Sequence, residues 1–459
     1  MSEIRSPTKK ESILKKDWTK GSVIGNLLLL SWPMVLMESL WVVSQIIDLI
    51  WVGRLGSNSI AGVGIANVVL MLVYSVDMGL LVGVRAMIAR FVGSGDISGA
   101  SRVAGQALIL GVSCGLVITT VGVIFVEPIF GLFGADRAVF IEGTAYLRVM
   151  FAGWIGMELL VMGLYAIQSS GDTVTPMVIE ALIRVIHIAL CPFLVLGWWI
   201  FPRLGVSGAA LSNVLAQALG AIALLYILFK GRSRLHLTLK DLRFTPNIIW
   251  RILKIGVPAL LMNLQSAFGS ILFMKIIIPF KTMAVSAHSL AGRIEMFLFV
   301  PGMGLGTGAG VLVGHNLGAG QPGRAQKSAW LSVGLVAGFM VLCGVVILIW
   351  AEDIIGIFSN EADLITLGGT FLRIAVAGYL ASSLSTVLQS CIAGAGDTLP
   401  NLVVSIAVVW LVQLPLAYLL SRTSLGIYGI RWALVAATFA GAIAYTTYFI
   451  IGKWKTKKV

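Results

Sequence analysis

The sequence predicts an all-α polytopic membrane protein whose twelve transmembrane helices form two parallel six-helix repeats. Three observations lead to this fold class. The 459 residues are 58% hydrophobic and only 12% charged, too few charged side chains to cover the surface of a soluble protein of this length. Apolar runs of membrane-spanning length recur along the chain. One pattern of glycines and polar residues occurs twice.

The apolar runs are predicted to be helices. A segment in lipid must satisfy its own backbone hydrogen bonds, and none of the runs shows the alternation of polar and apolar residues that barrel strands require. The twelve predicted spans are 25–51, 60–90, 105–126, 145–168, 177–200, 207–229, 252–279, 284–313, 329–350, 365–390, 401–421 and 428–452.

The basic residues are distributed unevenly between the two sides of these spans. They concentrate at 5–20, 230–254 and 453–458, with smaller groups after spans 2 and 8, and they are few in the alternate loops. This positive-inside bias predicts a multi-pass protein of the cell inner (cytoplasmic) membrane with both termini in the cytoplasm. The net charge of +13 is explained by this bias, so no nucleic-acid partner is expected. The lipid bilayer is an expected partner.

The second half of the chain repeats features of the first. Gly-Asp-Thr occurs at 171–173 and again at 396–398, and the offset between these two copies also relates Pro33 to Pro258. The repeated unit has an even number of spans, so both copies enter the membrane in the same direction. The predicted organisation is a basic N-terminus (1–24), a six-helix lobe (25–230), a linker (231–250), a second six-helix lobe (251–452) and a tail (453–459).

The repeated polar motif has a structural interpretation. In each copy a glycine ends one helix, and Asp172 or Asp397 is placed to cap the next. We therefore predict that these two aspartates are helix caps.

Ionisable side chains within spans are costly and are mostly functional or paired. The first half contains most of the acidic ones, whereas the second half offers only Glu295 in span 8. This asymmetry predicts that ion coupling belongs to the first half. Candidates for the lining of a substrate cavity are Glu38, Trp41, Gln45, Asp77, Glu158, Gln265 and Glu295.

The position of these candidates within their spans bears on their role. Glu38, Trp41 and Gln45 share one face of span 1 with Asp48. Asp77 and Glu158 lie near midspan, where they would line the cavity or pair with Arg85 or another span.

A coupling site is predicted where spans 1, 5 and 6 carry polar groups at similar depth. Asp48, Cys191 and Asn213 all fall in the outer half of the membrane, and His187 shares a helical face with Cys191. Three of these residues have a structural alternative: Asp48 as a packing carboxylate, Cys191 as a small filler, and His187 as a histidine bonded to a neighbouring carbonyl. Glu180 and Arg184 are spaced to form a pair on the same face of span 5.

The chain resembles the multidrug and toxic compound extrusion (MATE) family. The matching features are the two six-span halves with Gly-Asp-Thr after spans 4 and 10, and three further stretches. These are IDLIWVGRLG (47–56), LGVSGAAL (204–211) and LVGHNLGAGQPGRA (312–325). The resemblance covers essentially the whole chain. It implies a V-shaped bundle of two lobes that exports organic, often cationic, compounds in exchange for H⁺ or Na⁺.

The resemblance also bears on individual residues. Asp48 matches the family's span-1 aspartate, which implies a role in binding the coupling ion. The DinF-type prokaryotic branch, which is nearer than the NorM-type, carries Asn-x-x-x-Asp-Pro in span 5, whereas this chain reads His187-x-x-x-Cys191-Pro192. The NorM-type acidic residues of spans 7 and 10 are missing here. The second carboxylate expected beside Asp48 is thus replaced by a thiol.

These points predict a secondary antiporter for small amphipathic organic cations. A thiol is a poor ligand for a hard cation, so H⁺ is favoured as the coupling ion, with Na⁺ at Asp48 as the alternative. We expect no enzyme activity, no cofactor, no other metal site and a monomer. One alternative function is a flippase for lipid-linked oligosaccharides, which would need a cationic cavity. Another is an intramembrane enzyme, but the four histidines are scattered along the chain.

Overall fold

The computed structural model describes residues 16–457, except for the side chains of Gln45, Ile46 and Leu49. The described part of the chain contains helices and no β-strand. Its main helices each overlap one predicted span, and we number them α1 to α12 in the same order. The predicted all-helical membrane fold is therefore confirmed.

The helices of the two halves alternate with short connections. The first half contains α1 (Val23–Gly53), α2 (Ser57–Gly93), α3 (Ile97–Ile124), α4 (Arg137–Ala152 and Trp154–Ser169), α5 (Val174–Leu196) and α6 (Val206–Phe229). The second half contains α7 (Pro246–Ile277), α8 (Lys281–Gly318), α9 (Pro322–Gly356), α10 (Ala362–Val376 and Tyr379–Gly394), α11 (Thr398–Ser421) and α12 (Gly426–Ile451).

Length and composition support twelve membrane crossings. Among the described residues, nine continuous helical stretches are long and apolar enough to span, or eleven when each bent pair counts as one. The 73-residue stretch Pro246–Gly318 contains both α7 and α8, separated by a 3₁₀ turn at Ile278–Phe280. At 1.5 Å per residue, the 37 residues of α2 extend about 55 Å, well beyond the hydrocarbon core.

Internal contacts divide the chain into two compact units. Unit 1 contains Leu36–Leu253 together with the start of the described chain up to Lys20, and unit 2 contains Gly21–Val35 and the chain from Lys254 onwards. The first turns of α1 thus belong to unit 2, and those of α7 belong to unit 1. The predicted lobes, 25–230 and 251–452, do not assign these first turns to the other unit.

A proline lies near each point where the chain passes from one unit to the other. Pro33 in α1 and Pro258 in α7 lie close to the two change-over points, and a proline removes one backbone hydrogen bond from a helix. Within unit 2, Gly304 and Gly308 of α8 allow the backbone to pack directly against α1, near Val35 and Ser31 respectively. These two glycines of span 8 therefore serve close helix contact.

Both α4 and α10 are bent, which the predicted continuous spans did not include. The bends are 55° and 58°, and they fall at Gly153 and at Gly378, which are equivalent positions in the repeat. A Cβ atom on Gly153 would lie 2.2 Å from a methyl group of Val214, and one on Gly378 would lie 2.9 Å from the hydroxyl of Thr438. Glycine is thus needed where α6 and α12 approach the bends.

The repeated polar motif acts differently in its two copies. Gly171 and Gly396 both have positive φ, at 94° and 85°, which suits glycine at a helix end. Asp172 accepts a hydrogen bond from the backbone N–H of Thr175 at 3.1 Å, as a cap does.

The predicted cap at Asp397 is not formed. Asp397 stands at the N-cap position, but its carboxylate makes no capping hydrogen bond. It accepts instead from the hydroxyl of Tyr448 and lies 2.9 Å from Lys457 Nζ. The C-terminal segment supplies a charge that competes with the backbone for this carboxylate.

Candidate functional site

Unit 1 brings together Asp48 of α1 with His187 and Cys191 of α5. The two α5 residues are four positions apart and so share a face one turn from each other. Asp48 Oδ1 and His187 Nε2 lie 3.1 Å apart. One ligand atom from each of the three side chains falls within 4.8 Å of the other two. The predicted cluster of these three residues is thus present in the structure.

The cluster lies in the interior of unit 1. His187 and Cys191 are buried, whereas about a quarter of the Asp48 side chain is exposed. Asp48 Oδ1 and His187 Nε2 are both buried atoms, and neither makes an aligned hydrogen bond within the described residues. The pair is therefore a close contact between two polar atoms that face each other and are still incompletely satisfied.

Ser44 orients the imidazole from its other side. Its hydroxyl lies 3.4 Å from His187 Nδ1 and accepts a hydrogen bond of the same length from Arg184. The hydroxyl can donate to Nδ1 or accept from it, so this contact is compatible with either ring tautomer. Ser44 is one turn before Asp48 on α1, and this contact was not among the predicted ones.

Arg184 connects the cluster to a second acidic residue. Its Nε donates to Glu180 Oε1 at 2.8 Å, and a second guanidinium nitrogen contacts the same oxygen. This is the i, i+4 pair expected from the spacing. A continuous polar path of four side chains thus runs from Glu180 through Arg184 and Ser44 to His187.

Among the described residues, Asn213 makes its hydrogen bond within α6 and none to the cluster. Its amide oxygen accepts a hydrogen bond from Gln217 Nε2, one turn further along α6. The side chain of Gln45, another predicted member of this region, lies outside the described part of the chain.

Asp77 of α2 and Glu158 of α4 form a separate buried pair. Their carboxyl groups lie within hydrogen-bonding contact of each other, and both side chains are almost fully buried. Gly111 and Gly115 of α3 leave the space that Glu158 occupies. Two carboxyl groups share a hydrogen bond only when one of them holds a proton. The two residues therefore pair with each other across two spans, which was one of the predicted alternatives.

The remaining candidates of unit 1 lie nearer the start of α1. Glu38 is partly buried and interacts electrostatically with Arg85 of α2, whose guanidinium lies 4.8 Å from the centre of the Tyr165 ring. Trp41, one turn after Glu38, is exposed. This region combines a carboxylate with an exposed aromatic ring.

In unit 2 the predicted candidates are engaged with neighbouring side chains. Glu295 lies 3.5 Å from Arg431 of α12, a buried arginine that sequence reasoning did not single out. Gln265 donates to Ser405 at 2.6 Å and accepts from Trp410 Nε1 at 3.0 Å. The only signal for Arg431 in the sequence was its charge inside an apolar run.

Comparison with known families decides what this arrangement belongs to. A family model described as MatE matches residues 33–193 and 258–419. The two matched stretches begin at Pro33 and Pro258, which the offset of the repeated motif also relates. The chain belongs to the MatE family. Members of this family are transporters, so the chain is a multi-pass membrane transporter and not an enzyme.

Individual relatives are distant but nearly full-length. The probable multidrug resistance protein NorM of Thermotoga maritima is 24% identical over 90% of this chain and 89% of its own length. The FAD transporter of Shewanella oneidensis is 26% identical over 86% of this chain and 88% of its own length. A crystal structure of a MATE protein in the bent conformation has a TM-score of 0.89 and 24% identity, with 97% and 98% of the two chains covered. At that identity the structural likeness establishes the fold alone.

Proposed function

We propose that this transporter exports small amphipathic organic cations in exchange for H⁺. The name of the Thermotoga relative supports drug-like organic compounds as substrates. The observation that carries the coupling part is the contact between the Asp48 carboxylate and the His187 imidazole, inside two helices of membrane-spanning length. An ionisable pair at that depth is costly unless it has a use.

The ligand set favours H⁺ over Na⁺. A proton needs a single basic atom, and a carboxylate beside an imidazole provides two between which it can be shared. Na⁺ prefers several hard oxygen ligands, whereas the third member of the cluster is the Cys191 thiol. Na⁺ held by Asp48 with other oxygens remains the alternative that the experiment must distinguish.

Coupling follows from the change in charge at Asp48. Ionised Asp48 makes unit 1 attractive to a cation, and protonation removes that attraction. Exchange then requires that the proton and the substrate favour different conformations, since a ligand that binds both equally shifts nothing. The proposed cycle alternates between inward-open and outward-open forms.

The substrate class rests on the chemistry near Glu38 and Trp41. A partly buried carboxylate one helical turn from an exposed indole suits a cation with an apolar body. The Shewanella relative is named as a transporter of FAD, which is an anionic dinucleotide. Inhibition of dye export by quaternary ammonium compounds, with none by FAD, is the expected result. The reverse pattern would contradict the cationic assignment.

Proteoliposomes containing the purified chain test the coupling ion. We expect export of a cationic dye when a pH gradient is applied without Na⁺, and only background flux when a Na⁺ gradient is applied with pH clamped on both sides. Transport under the Na⁺ gradient alone would replace H⁺ by Na⁺ in the proposal.

We also propose that the protein lies in the bacterial inner membrane as a monomer with both termini in the cytoplasm. The proposal is supported by the basic residues that concentrate in the linker between the two halves. A cysteine introduced between 231 and 245 should react with an impermeant reagent only from the cytoplasmic side. Reaction from outside would reverse the orientation.

A further inference from the structure

The Asp48, His187 and Cys191 side chains form a mixed set of oxygen, nitrogen and sulfur atoms. We infer that this cluster binds a borderline-soft divalent transition-metal ion such as Zn²⁺ or Co²⁺. The inference concerns metal binding and does not depend on which ion drives transport.

The spacing of the ligand atoms supports a single shared ion. Zn²⁺ binds histidine nitrogen and carboxylate oxygen at about 2.0–2.2 Å and thiolate sulfur at about 2.3 Å, so ligand atoms around one tetrahedral ion lie about 3.3–3.8 Å apart. Here Nε2 and Oδ1 are 3.1 Å apart, and one ligand atom from each of the three side chains lies within 4.8 Å of the other two. A side-chain adjustment of about 1 Å closes the set around one ion.

The polar atoms of the cluster are incompletely satisfied in a way that a cation would relieve. Asp48 Oδ1 and His187 Nε2 are buried and face each other without an aligned hydrogen bond among the described residues. A cation between them would contact both. His187 and Cys191, four residues apart on α5, also have the helical spacing at which two side chains reach one metal.

Ser44 provides the second layer that metal-bound histidines need. Such a histidine donates its other ring N–H to a neighbouring acceptor, which fixes the ring. Ser44 Oγ lies 3.4 Å from Nδ1 and has a free lone pair with which to accept that N–H. The exposed side of Asp48 leaves room for water as a fourth ligand.

Charge and softness define the class of ion. A divalent ion with one carboxylate and one thiolate makes a neutral unit, and the nearby Arg184 is already paired with Glu180. Hard ions such as Mg²⁺ and Ca²⁺ require more oxygen ligands than this cluster offers. Thiolate and imidazole ligands together favour Zn²⁺ and Co²⁺.

Cobalt absorption tests the inference directly. The full-length chain, purified without a histidine tag, is titrated with Co²⁺ in lipid nanodiscs. We expect one equivalent to produce a thiolate-to-cobalt charge-transfer band together with the visible bands of tetrahedral Co²⁺, and Zn²⁺ to abolish both. The charge-transfer band should disappear in Cys191→Ser. It should persist in Cys391→Ser, a matched control because Cys391 is a buried cysteine of α10.

X-ray absorption of the Zn²⁺-loaded unmodified chain is a second measurement that needs no variant. It should show one sulfur at about 2.3 Å among nitrogen and oxygen ligands. His187→Gln should weaken Co²⁺ binding by tenfold or more, a loss on the scale that follows from disturbing a metal's ligand shell. A spectrum without a charge-transfer band, the same band in Cys191→Ser, or a zinc shell without sulfur would each overturn the inference.

Discussion

The two halves of this transporter share a backbone plan and differ in chemistry. Both contain a helix bent at a glycine, by 55° in the first half and 58° in the second, at equivalent positions in the repeat. The ionisable candidate site residues of the first half have no ionisable counterparts in the second. At the offset that relates the two Gly-Asp-Thr motifs, Asp48 corresponds to Phe273, Asp77 to Gly302, Glu158 to Ser383 and His187 to Val412.

The difference separates structural from functional constraints. Glycines at the bends are required wherever the same helices approach each other, so duplication retains them in both halves. A buried carboxylate is costly in lipid, and one half can lose it without loss of the fold. The contrast supports unit 1 as the location of coupling, with unit 2 retaining the helical plan.

The largest expected effect is the loss of proton-driven export when Asp48 is substituted. Asp48→Asn keeps the shape of the side chain and removes its charge, so proton-driven export should fall to the passive background while the unfolding temperature stays within the error of the unmodified chain. Phe273→Leu, at the equivalent position of unit 2, is the matched control and should keep export. Dye efflux from proteoliposomes under a pH gradient measures both variants. Full uphill export by Asp48→Asn would remove the functional distinction between the halves.

The ion pair of unit 2 should matter for stability and not for coupling. Arg431 is 4% exposed and its partner Glu295 17%. Glu295→Leu leaves a buried guanidinium unpaired, which should lower the free energy of unfolding by about 3 kcal/mol. The double variant Glu295→Leu/Arg431→Met should recover most of that loss.

Denaturant unfolding in detergent measures this stability, and the ratio of protons to substrate measured on the stable double variant tests coupling. An altered ratio in that variant would assign a coupling role to unit 2 as well.

The sequence was informative where a feature depends on one helix. Apolar runs predicted all twelve spans, because span length and composition are set by the bilayer. The shared face of His187 and Cys191 followed from a spacing of four residues. The bends at Gly153 and Gly378 did not follow, because their cause is the approach of side chains from α6 and α12. A glycine within an apolar run carries no sign of that approach.

The candidate site shows the same limit. The depth of Asp48 and Cys191 could be predicted from where their spans begin, but the contact with Ser44 depends on how α1 is rotated against α5. A serine in an apolar span has too many ordinary roles to be singled out. Asp397 was predicted as a cap because the local motif favours it, and Lys457 from the far end of the chain draws its carboxylate elsewhere.

Substitution of the two bend glycines should give unequal effects. Both have φ near −90°, which alanine adopts without strain, so the effect is steric. In Gly153→Ala the new Cβ meets the branched side chain of Val214, and we expect a loss of about 2 kcal/mol in unfolding free energy. In Gly378→Ala it meets the hydroxyl of Thr438, which can rotate, and we expect about 1 kcal/mol or less. Equal losses in unfolding free energy would mean that the loss comes from disturbing the bend itself and not from contact with Val214 or Thr438.

The smallest expected effect concerns a salt bridge that the duplication has kept in both halves. Arg148 contacts Glu127 and Arg373 contacts Glu352, each at 2.7 Å, and the residues of the two pairs are equivalent in the repeat. The first pair is 51% and 61% exposed and the second 39% and 46%. Exposed ion pairs contribute about 0–1 kcal/mol, because solvent screens the charges and ordering two long side chains costs entropy. Glu127→Gln should therefore change the free energy of unfolding by less than about 0.5 kcal/mol, and Glu352→Gln by up to about 1 kcal/mol.

Denaturant unfolding at low and high salt checks this expectation, since screening should reduce both differences. A loss of several kcal/mol of unfolding free energy in either variant would show that the retained pair is a major contributor to the stability of its half. Small losses in both variants would show that this exposed contact adds little to stability in either half. The duplication would then have kept the pair because it positions the chain between two helices.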